Sequence, residues 1–261
     1  MSRKCYATLF GDCQGAMSRE HYISDCMLPD NVIFHGGVKF AGRPIPKESA
    51  VAKILCQFHN SRLSPFDSEA CSLLDAMNYP DKYESLSQEQ RDTHGVINFE
   101  INGDKFEKWL MKTTINHLYQ IDNDYINQAE ACLEYLFKGK NFRKPSGIYG
   151  FQHGYICHRQ RKGFMLFPLF GVNELCTGLL FFINDYPFVF FNNLHHGPPV
   201  AFMNWKTDWM DEKFNHHLFY LQKLILENQI MYRPATLDIH LDDSFHKNIC
   251  SINFKWTQGD L

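Results

Sequence analysis

The first 70 residues concentrate side chains that can bind a metal ion. Cys56 and His59 are separated by two residues, a spacing at which a thiolate and an imidazole can bind one tetrahedral Zn²⁺. Cys5 and Cys13 lie upstream and can supply the other two ligands. The sequence therefore predicts a structural zinc site on Cys5, Cys13, Cys56 and His59.

The cysteine content favours ligands and packing over disulfides. The chain has nine cysteines, an odd number, and no apolar segment typical of a secretory signal follows Met1. We therefore expect a cytoplasmic, reducing location in which thiols are metal ligands, reactive groups or buried residues. Cys26 and Cys71 are the alternative ligands if Cys5 lies too close to a frayed terminus.

A second group of polar residues adjoins these ligands. Glu20 and His21 are adjacent, and Asn60 follows His59 directly. A neutral imidazole can deprotonate water near neutral pH, and a carboxylate with an amide oxygen suits Mg²⁺ or Mn²⁺. Phosphodiester hydrolysis needs such a base and such a cation. Along a strand, however, Glu20 and His21 would point to opposite faces, so one shared site requires a local bend.

Residues 13–63 resemble the HNH, or ββα-metal, endonuclease motif of the zinc-stapled kind. The pair Glu20-His21 matches the acidic residue and His of the family's first strand, and Gly36-Gly37 falls in its loop. The segment Cys56-x-x-His59-Asn60 matches the element at which the family's helix starts. Val51 stands where the family usually has its middle Asn.

The resemblance implies a metal-dependent endonuclease that hydrolyses DNA. It implies His21 as the general base, Glu20 and Asn60 as ligands of a catalytic Mg²⁺ or Mn²⁺, and the four predicted zinc ligands as a staple. Such nucleases are often subunits of bacterial restriction or anti-phage systems, so a partner protein is expected. The alternative is a zinc-binding adaptor or nucleic-acid-binding subunit that does not cleave. The rest of the chain is similar to uncharacterised bacterial proteins that carry this motif.

The net charge of −3 hides blocks of opposite sign. Residues 66–137 hold five basic and fourteen acidic side chains, whereas residues 138–164 hold seven basic and none acidic. Aromatic residues interleave with the basic ones in the second block, a pattern that suits phosphates and unpaired bases. The alternative is a solvated loop. The predicted nucleic-acid contacts are Arg143, Lys144, Arg159, Arg161 and Lys162.

The remaining patterns predict an α+β protein. The polar, turn-rich segment 78–95 is a predicted linker. It separates a zinc-bound ββα-metal (HNH) module, residues 1–77, from an accessory domain, residues 96–261. The accessory domain is expected to contain a helical segment and an antiparallel sheet. No membrane span is expected, because the most apolar stretch is interrupted by polar residues and Pro168. Helices are predicted from Ser64-Pro65 onward, over 104–119, over 122–137 and around 208–228, and strands within 164–191, 236–241 and 250–256.

Overall fold

The protein combines helices with several sheets, which confirms the predicted α+β class. The chain splits into two compact units, one of residues Met1–Phe142 with Ala235–Leu261 and the other of residues Arg143–Pro234. The computed structural model describes residues 5–33, 44–121, 130–144, 146–151, 163–170, 176–184, 186–192, 223, 230–241 and 248–257.

The described strands and helices come in runs along the chain. In chain order they are β1 (Met17–His21), β2 (Asn31–Ile33), β3 (Pro44–Pro46), β4 (Val51–Cys56), α1 (Gln57–Met77), α2 (Tyr79–Glu84), α3 (Gln88–Asp92), β5 (Val96–Asn102), α4 (Gly103–Ile121), α5 (Glu130–Phe137), β6 (Gly147–Phe151), β7 (Phe164–Phe170), β8 (Cys176–Ile183), β9 (Tyr186–Phe191), β10 (Ile230–Tyr232), β11 (Thr236–His240) and β12 (Ile249–Lys255).

The strands β1 and β4 and the helix α1 form a ββα unit near the start of the chain. β1 pairs antiparallel with β4, so that Met17 lies opposite Cys56 and His21 lies opposite Val51. The helix α1 begins at Gln57, directly after β4. The junction of β4 and α1 is therefore at the Met17 end of β1, and His21 is at the other end, about 13 Å away.

The start of α1 differs from the prediction made from the local pattern. That pattern places the start at Ser64-Pro65, whereas α1 begins seven residues earlier and has Pro65 in its interior. The first amides of a helix need partners outside it. Here the N–H of Gln57 donates to the carbonyl of Ala16, and the N–H of Phe58 donates to that of Gln14. These contacts with the preceding loop let the helix begin at Gln57.

One face of α1 packs against α4 in the core of the first unit. The buried apolar residues of α1 recur at helical spacing and include Leu63, Ala70 and Leu73. α4 spans the predicted helix 104–119 and buries Phe106 and Trp109 completely. α5 covers the second half of the predicted helix 122–137, and residues 122–129 lie outside the described part.

A three-stranded sheet brings the C-terminal residues into the first unit. β12 lies in its centre, antiparallel to β11 and parallel to β5. β11 and β12 confirm the predicted strands, but β5 was not anticipated. The predicted linker 78–95 lies inside this unit and forms α2 and α3. Tyr83 of α2 is buried, and its hydroxyl accepts a hydrogen bond from Asn248 at 2.9 Å.

The second unit contains an antiparallel sheet with the strand order β10-β6-β9-β8-β7. Its consecutive strands β7, β8 and β9 confirm the meander predicted for residues 164–191. The helix predicted around 208–228 lies outside the described residues, except for Lys223. Among the described helices of the chain, none has the length and apolar character needed to cross a membrane.

A disulfide joins Cys26 to Cys71. Cys26 lies in a short 3-10 turn that follows β1, and Cys71 lies in α1. The expectation of thiols throughout is therefore wrong for this pair, and neither residue substitutes for Cys5 as a metal ligand. Their Cα atoms are 5.8 Å apart because the turn lies against α1, a proximity that the sequence separation of 45 does not reveal.

Truncating the buried face of α1 tests this packing. Leu63 is fully buried, so Leu63→Ala should lower the free energy of unfolding by about 2–5 kcal/mol, through lost transfer energy and a cavity. Leu9 is exposed, and Leu9→Ala should change it by less than about 0.5 kcal/mol. Urea denaturation measures both. Equal losses for the two variants would contradict the described burial.

Candidate metal centre

The structure brings the four predicted zinc ligands together. The sulfur atoms of Cys5, Cys13 and Cys56 and a ring nitrogen of His59 all lie within 4.8 Å of one another. We call these four residues the Cys/His cluster. His59 is the central member, because its Nδ1 lies 3.2 Å from Cys56 Sγ, 3.5 Å from Cys5 Sγ and 3.7 Å from Cys13 Sγ.

Three chain segments position the cluster. Cys56 ends β4 and His59 lies in the first turn of α1. Cys5 is held beside β4, because the N–H of Tyr6 donates to the carbonyl of Ile54 at 3.0 Å. The seven residues before Cys13 include a 3-10 turn, and Gly11 ends it in the left-handed region at φ 73°. That turn folds the chain back, so the long gap between the first two cysteines still closes on one point.

The donor set fits a tetrahedral zinc ion. Zn²⁺ binds thiolate sulfur at about 2.3 Å and imidazole nitrogen at about 2.0–2.1 Å, which places neighbouring sulfur and nitrogen ligands about 3.6 Å apart in a tetrahedron. The three sulfur–nitrogen distances in the cluster range from 3.2 to 3.7 Å. Three thiols and one imidazole are also the ligand types of structural zinc sites. The cluster could therefore bind a metal such as zinc.

Two cysteines of the cluster differ in how easily they lose a proton. Burial raises the pKa of Cys56, but hydrogen bonds from the backbone of His59 and Gln14 and from the side chains of His59 and Cys5 together lower it to about 6. Burial and the neighbouring Cys13 raise the pKa of Cys5 to about 12, although backbone hydrogen bonds from Cys56 and Ala7 act in the opposite direction. Cys56 therefore favours the thiolate form even without a metal ion. Cys5 would lose its proton only with a cation close by.

A carboxylate stands behind the imidazole. With Nδ1 facing the sulfur atoms, the other ring nitrogen of His59, Nε2, lies 2.8 Å from Oδ1 of Asp12. The second oxygen of Asp12 lies 3.5 Å from Nη1 of Arg62. A carboxylate behind a metal-binding His orients the ring and makes it more basic. Asp12 was not predicted from the sequence. An acidic residue directly before a ligand cysteine could have indicated a carboxylate close to the metal ligands.

Aromatic rings surround the buried face of His59. Its ring makes edge contacts with Phe137 and Phe58, with centroids 4.9 Å and 5.4 Å apart. Phe10 lies 5.7 Å from Phe137 and completes this shell. His59 itself is fully buried. The apolar shell limits access of water to the cluster from this side, which favours retention of a bound metal.

Glu20 is held inside the first unit by α4. Only 5% of its surface is exposed, and its carboxylate forms an ion pair with Lys112 of α4. Lys112 also donates to both oxygens of Asp67 in α1, at 2.6 and 2.7 Å. Asn116 donates to Glu20 at 3.5 Å. Burial raises the pKa of Glu20, and the charge of Lys112 opposes that rise.

His21 has different surroundings from Glu20. Consecutive residues Glu20 and His21 pair with consecutive residues of β4, so their side chains leave opposite faces of the strand. The irregularity in β1 lies between Ser18 and Glu20 and does not bring the two together. His21 is half-buried, and its Nε2 lies 3.6 Å from Oδ1 of Asp25, which is more exposed. Burial lowers the pKa of His21 below its usual 6.5, and Asp25 opposes that change.

Asn60 does not lie beside Glu20 along α1. Glu20 meets α1 through Lys112 at the level of Asp67, seven residues or about 10 Å along the helix axis from Asn60. Among the contacts of the described residues, none joins Glu20 to Asn60, the predicted pair of catalytic metal ligands. Sequence reasoning missed Lys112, although a lysine three residues after Trp109 in a buried helical stripe signals a paired internal charge.

The predicted nucleic-acid contacts are only partly described. Arg143 and Lys144 are exposed at the start of the second unit. The structure does not describe Arg159, Arg161 and Lys162, nor the pair Gly36-Gly37.

Comparisons of the chain with protein-family models, curated proteins and solved structures found no match. The functional argument therefore depends on the geometry of the chain itself.

Removing a ligand of the Cys/His cluster tests its metal binding. We expect the purified wild-type chain to carry about one zinc ion, and Cys56→Ser to lose it because the thiolate nearest His59 is gone. Cys250 is a buried cysteine outside the cluster, so Cys250→Ala is the matched control and should keep the zinc. Elemental analysis measures the content. Equal zinc in both variants would contradict the assignment of Cys56 as a ligand.

Proposed function

We propose that the chain is a zinc-stapled endonuclease of the HNH, or ββα-metal, type that hydrolyses DNA. The observation that carries the proposal is the placement of the Cys/His cluster at the junction of β4 and α1, with His21 at the far end of the paired strand. A bound zinc would be structural, because four protein ligands leave no open position for water or substrate. Its role is to hold the N-terminal segment against the ββα unit.

His21 is the proposed general base. Its lowered pKa keeps the imidazole neutral near pH 7, the form that accepts a proton from an attacking water. Asp25, whose carboxylate lies 3.6 Å from Nε2, can orient the ring and stabilise it once it is protonated. Because Asp25 comes four residues later in the chain, β1 and the following turn position both groups.

Glu20 and Asn60 remain the proposed ligands of the divalent ion that would assist cleavage. Hydrolysis by this family's chemistry uses Mg²⁺ or Mn²⁺ to neutralise charge on the scissile phosphate. Glu20 forms an ion pair with Lys112, so such an ion would have to displace the ammonium group before Glu20 and Asn60 could bind it. The described contacts assign proton transfer to His21 and Asp25, and the divalent ion would supply the charge on the phosphate.

DNA is the proposed substrate, and a partner protein is the proposed means of delivering it. Arg143 and Lys144 are exposed and belong to the basic segment 138–164, which suits phosphate contacts. The chain as a whole is nevertheless slightly acidic, with a net charge of −3. Local contact with assistance from another subunit, as in a restriction or anti-phage complex, agrees with that distribution.

The second candidate function is a zinc-stapled nucleic-acid-binding or adaptor subunit without cleavage. The observation that favours it is the ion pair of Glu20 with Lys112. The ammonium group occupies the inner side of β1, where it already neutralises the carboxylate. In this alternative Glu20 stabilises the fold and takes no part in chemistry.

Substitution of His21 tests the first candidate. His21→Ala should lower Mg²⁺- or Mn²⁺-dependent DNA cleavage by about 10²–10⁴-fold, because the base is lost, while zinc content stays unchanged. His240, an exposed residue of β11, provides the control His240→Ala with full activity. A gel assay on plasmid and linear DNA measures cleavage. Undiminished cleavage by His21→Ala would contradict the proposed base, and wild-type binding without cleavage would favour the second candidate.

Breaking the buried ion pair tests the role of Glu20. If Glu20 is an internal counter-ion, Glu20→Gln should lower the free energy of unfolding by about 3 kcal/mol, because Lys112 keeps its charge inside the unit. The double variant Glu20→Gln with Lys112→Met should recover part of this loss, a coupling that a double-mutant cycle measures. Unchanged stability of Glu20→Gln together with lost cleavage would instead identify Glu20 as a functional ligand.

A further inference from the structure

Asp12 connects the Cys/His cluster to a second structural element. One carboxylate oxygen faces Nε2 of His59 at 2.8 Å, and the other faces Nη1 of Arg62 at 3.5 Å. His59 and Arg62 are three residues apart on α1 and therefore lie on the same side of that helix. The carboxylate is half exposed, so the protein retains it at the edge of the cluster and not in the core.

Arg62 extends this connection to the end of α5. Its Nη2 donates a hydrogen bond to the backbone carbonyl of Phe137, the last residue of α5. The guanidinium lies over two aromatic rings, 5.4 Å from the centroid of Phe137 and 5.6 Å from that of Phe58. A cation at the C-terminal end of a helix is favourable, and the planar guanidinium satisfies a carbonyl that has no partner within the helix.

We propose that Asp12 and Arg62 couple metal binding at the Cys/His cluster to the docking of α5. This proposal depends on the metal-binding part of the proposed function and is independent of cleavage. A metal held on Nδ1 leaves the proton of His59 on Nε2, facing Asp12, which strengthens that contact. Asp12 then holds the guanidinium of Arg62 in the orientation that reaches Phe137.

The same metal also fixes the His59 ring against which Phe137 packs. The centroids of the two rings are 4.9 Å apart in an edge contact. Loss of the metal would thus weaken α5 at two points, the aromatic contact and the carbonyl held by Arg62. Lys138 follows Phe137 directly and Lys140 lies two residues further on, so the start of the basic segment 138–164 depends on the same docking.

The first experiment measures zinc affinity by competition with a chromogenic chelator. Asp12→Asn should bind zinc about 10–100-fold more weakly than the wild type, because the carboxylate behind His59 is lost. Asp12→Glu keeps a carboxylate and should recover much of the affinity. Asp75 is an exposed acidic residue of α1, and Asp75→Asn should match the wild type. Wild-type affinity in Asp12→Asn would overturn the role of Asp12.

The second experiment measures hydrogen exchange of residues 130–137 with zinc bound and after chelation. In the wild type, chelation should speed exchange in α5 by at least about tenfold, since the docking contacts weaken. Arg62→Lys keeps the positive charge but loses the planar guanidinium group. The amides of α5 in this variant should therefore exchange fast even with zinc bound. Slow, zinc-independent exchange in α5 of both proteins would overturn the coupling.

The outcomes separate this proposal from the proposed function. A wild-type chain that binds no zinc would overturn both, because neither the staple nor the coupling would exist. A chain that binds zinc with α5 unaffected by chelation would overturn the coupling alone. Circular dichroism of each variant in the presence of zinc checks that the helices are retained, and Asp12→Glu keeps the test decisive if Asp12→Asn fails to fold.

Discussion

The convergence of three sulfur atoms on the imidazole of His59 is the constraint on which the structure of the N-terminal segment and the ββα unit depends. Cys5 and Cys13 come from a segment whose described hydrogen bonds to the ββα unit are few, and Cys56 and His59 stand where a strand becomes a helix. A cation at this point replaces the thiol protons and joins the two parts with strong bonds. The cluster also lies at the first turn of α1. The start of α1 in turn determines which of its residues lie against β1 and α4.

Buried charge organises the other side of the ββα unit. Lys112 enters from α4 and contacts one carboxylate on β1 and another on α1, so a single ammonium group joins three elements. The indole N–H of Trp109 donates to Ser24, whose hydroxyl in turn bonds to Asp67, which extends the network to the turn after β1. Such networks stabilise a unique arrangement only when their members are paired, and here Lys112 pairs with both carboxylates.

Much of this architecture was accessible from sequence because short-range patterns encode it. The spacing of Cys56 and His59 and the upstream cysteines predicted the cluster, and helical and strand periodicity predicted α4 and the β7–β9 meander. What escaped prediction depends on tertiary contacts. The Cys26–Cys71 disulfide, the pairing of β12 with the distant β5, and the Lys112 ion pairs join residues far apart in the chain, and Asp12 acquires its role only once His59 turns toward it. Ser64-Pro65 misled the placement of α1 because external partners for the first amides outweighed a local start signal.

X-ray absorption at the zinc edge of the purified protein tests the central claim most directly, because it measures the atoms around the metal without assuming the fold. Coordination by the Cys/His cluster predicts three sulfur neighbours at about 2.3 Å and one nitrogen neighbour at about 2.0–2.1 Å. A shell of oxygen and nitrogen atoms without sulfur, or a spectrum in which two or more sulfur atoms are missing, would contradict the cluster as the metal centre of this protein.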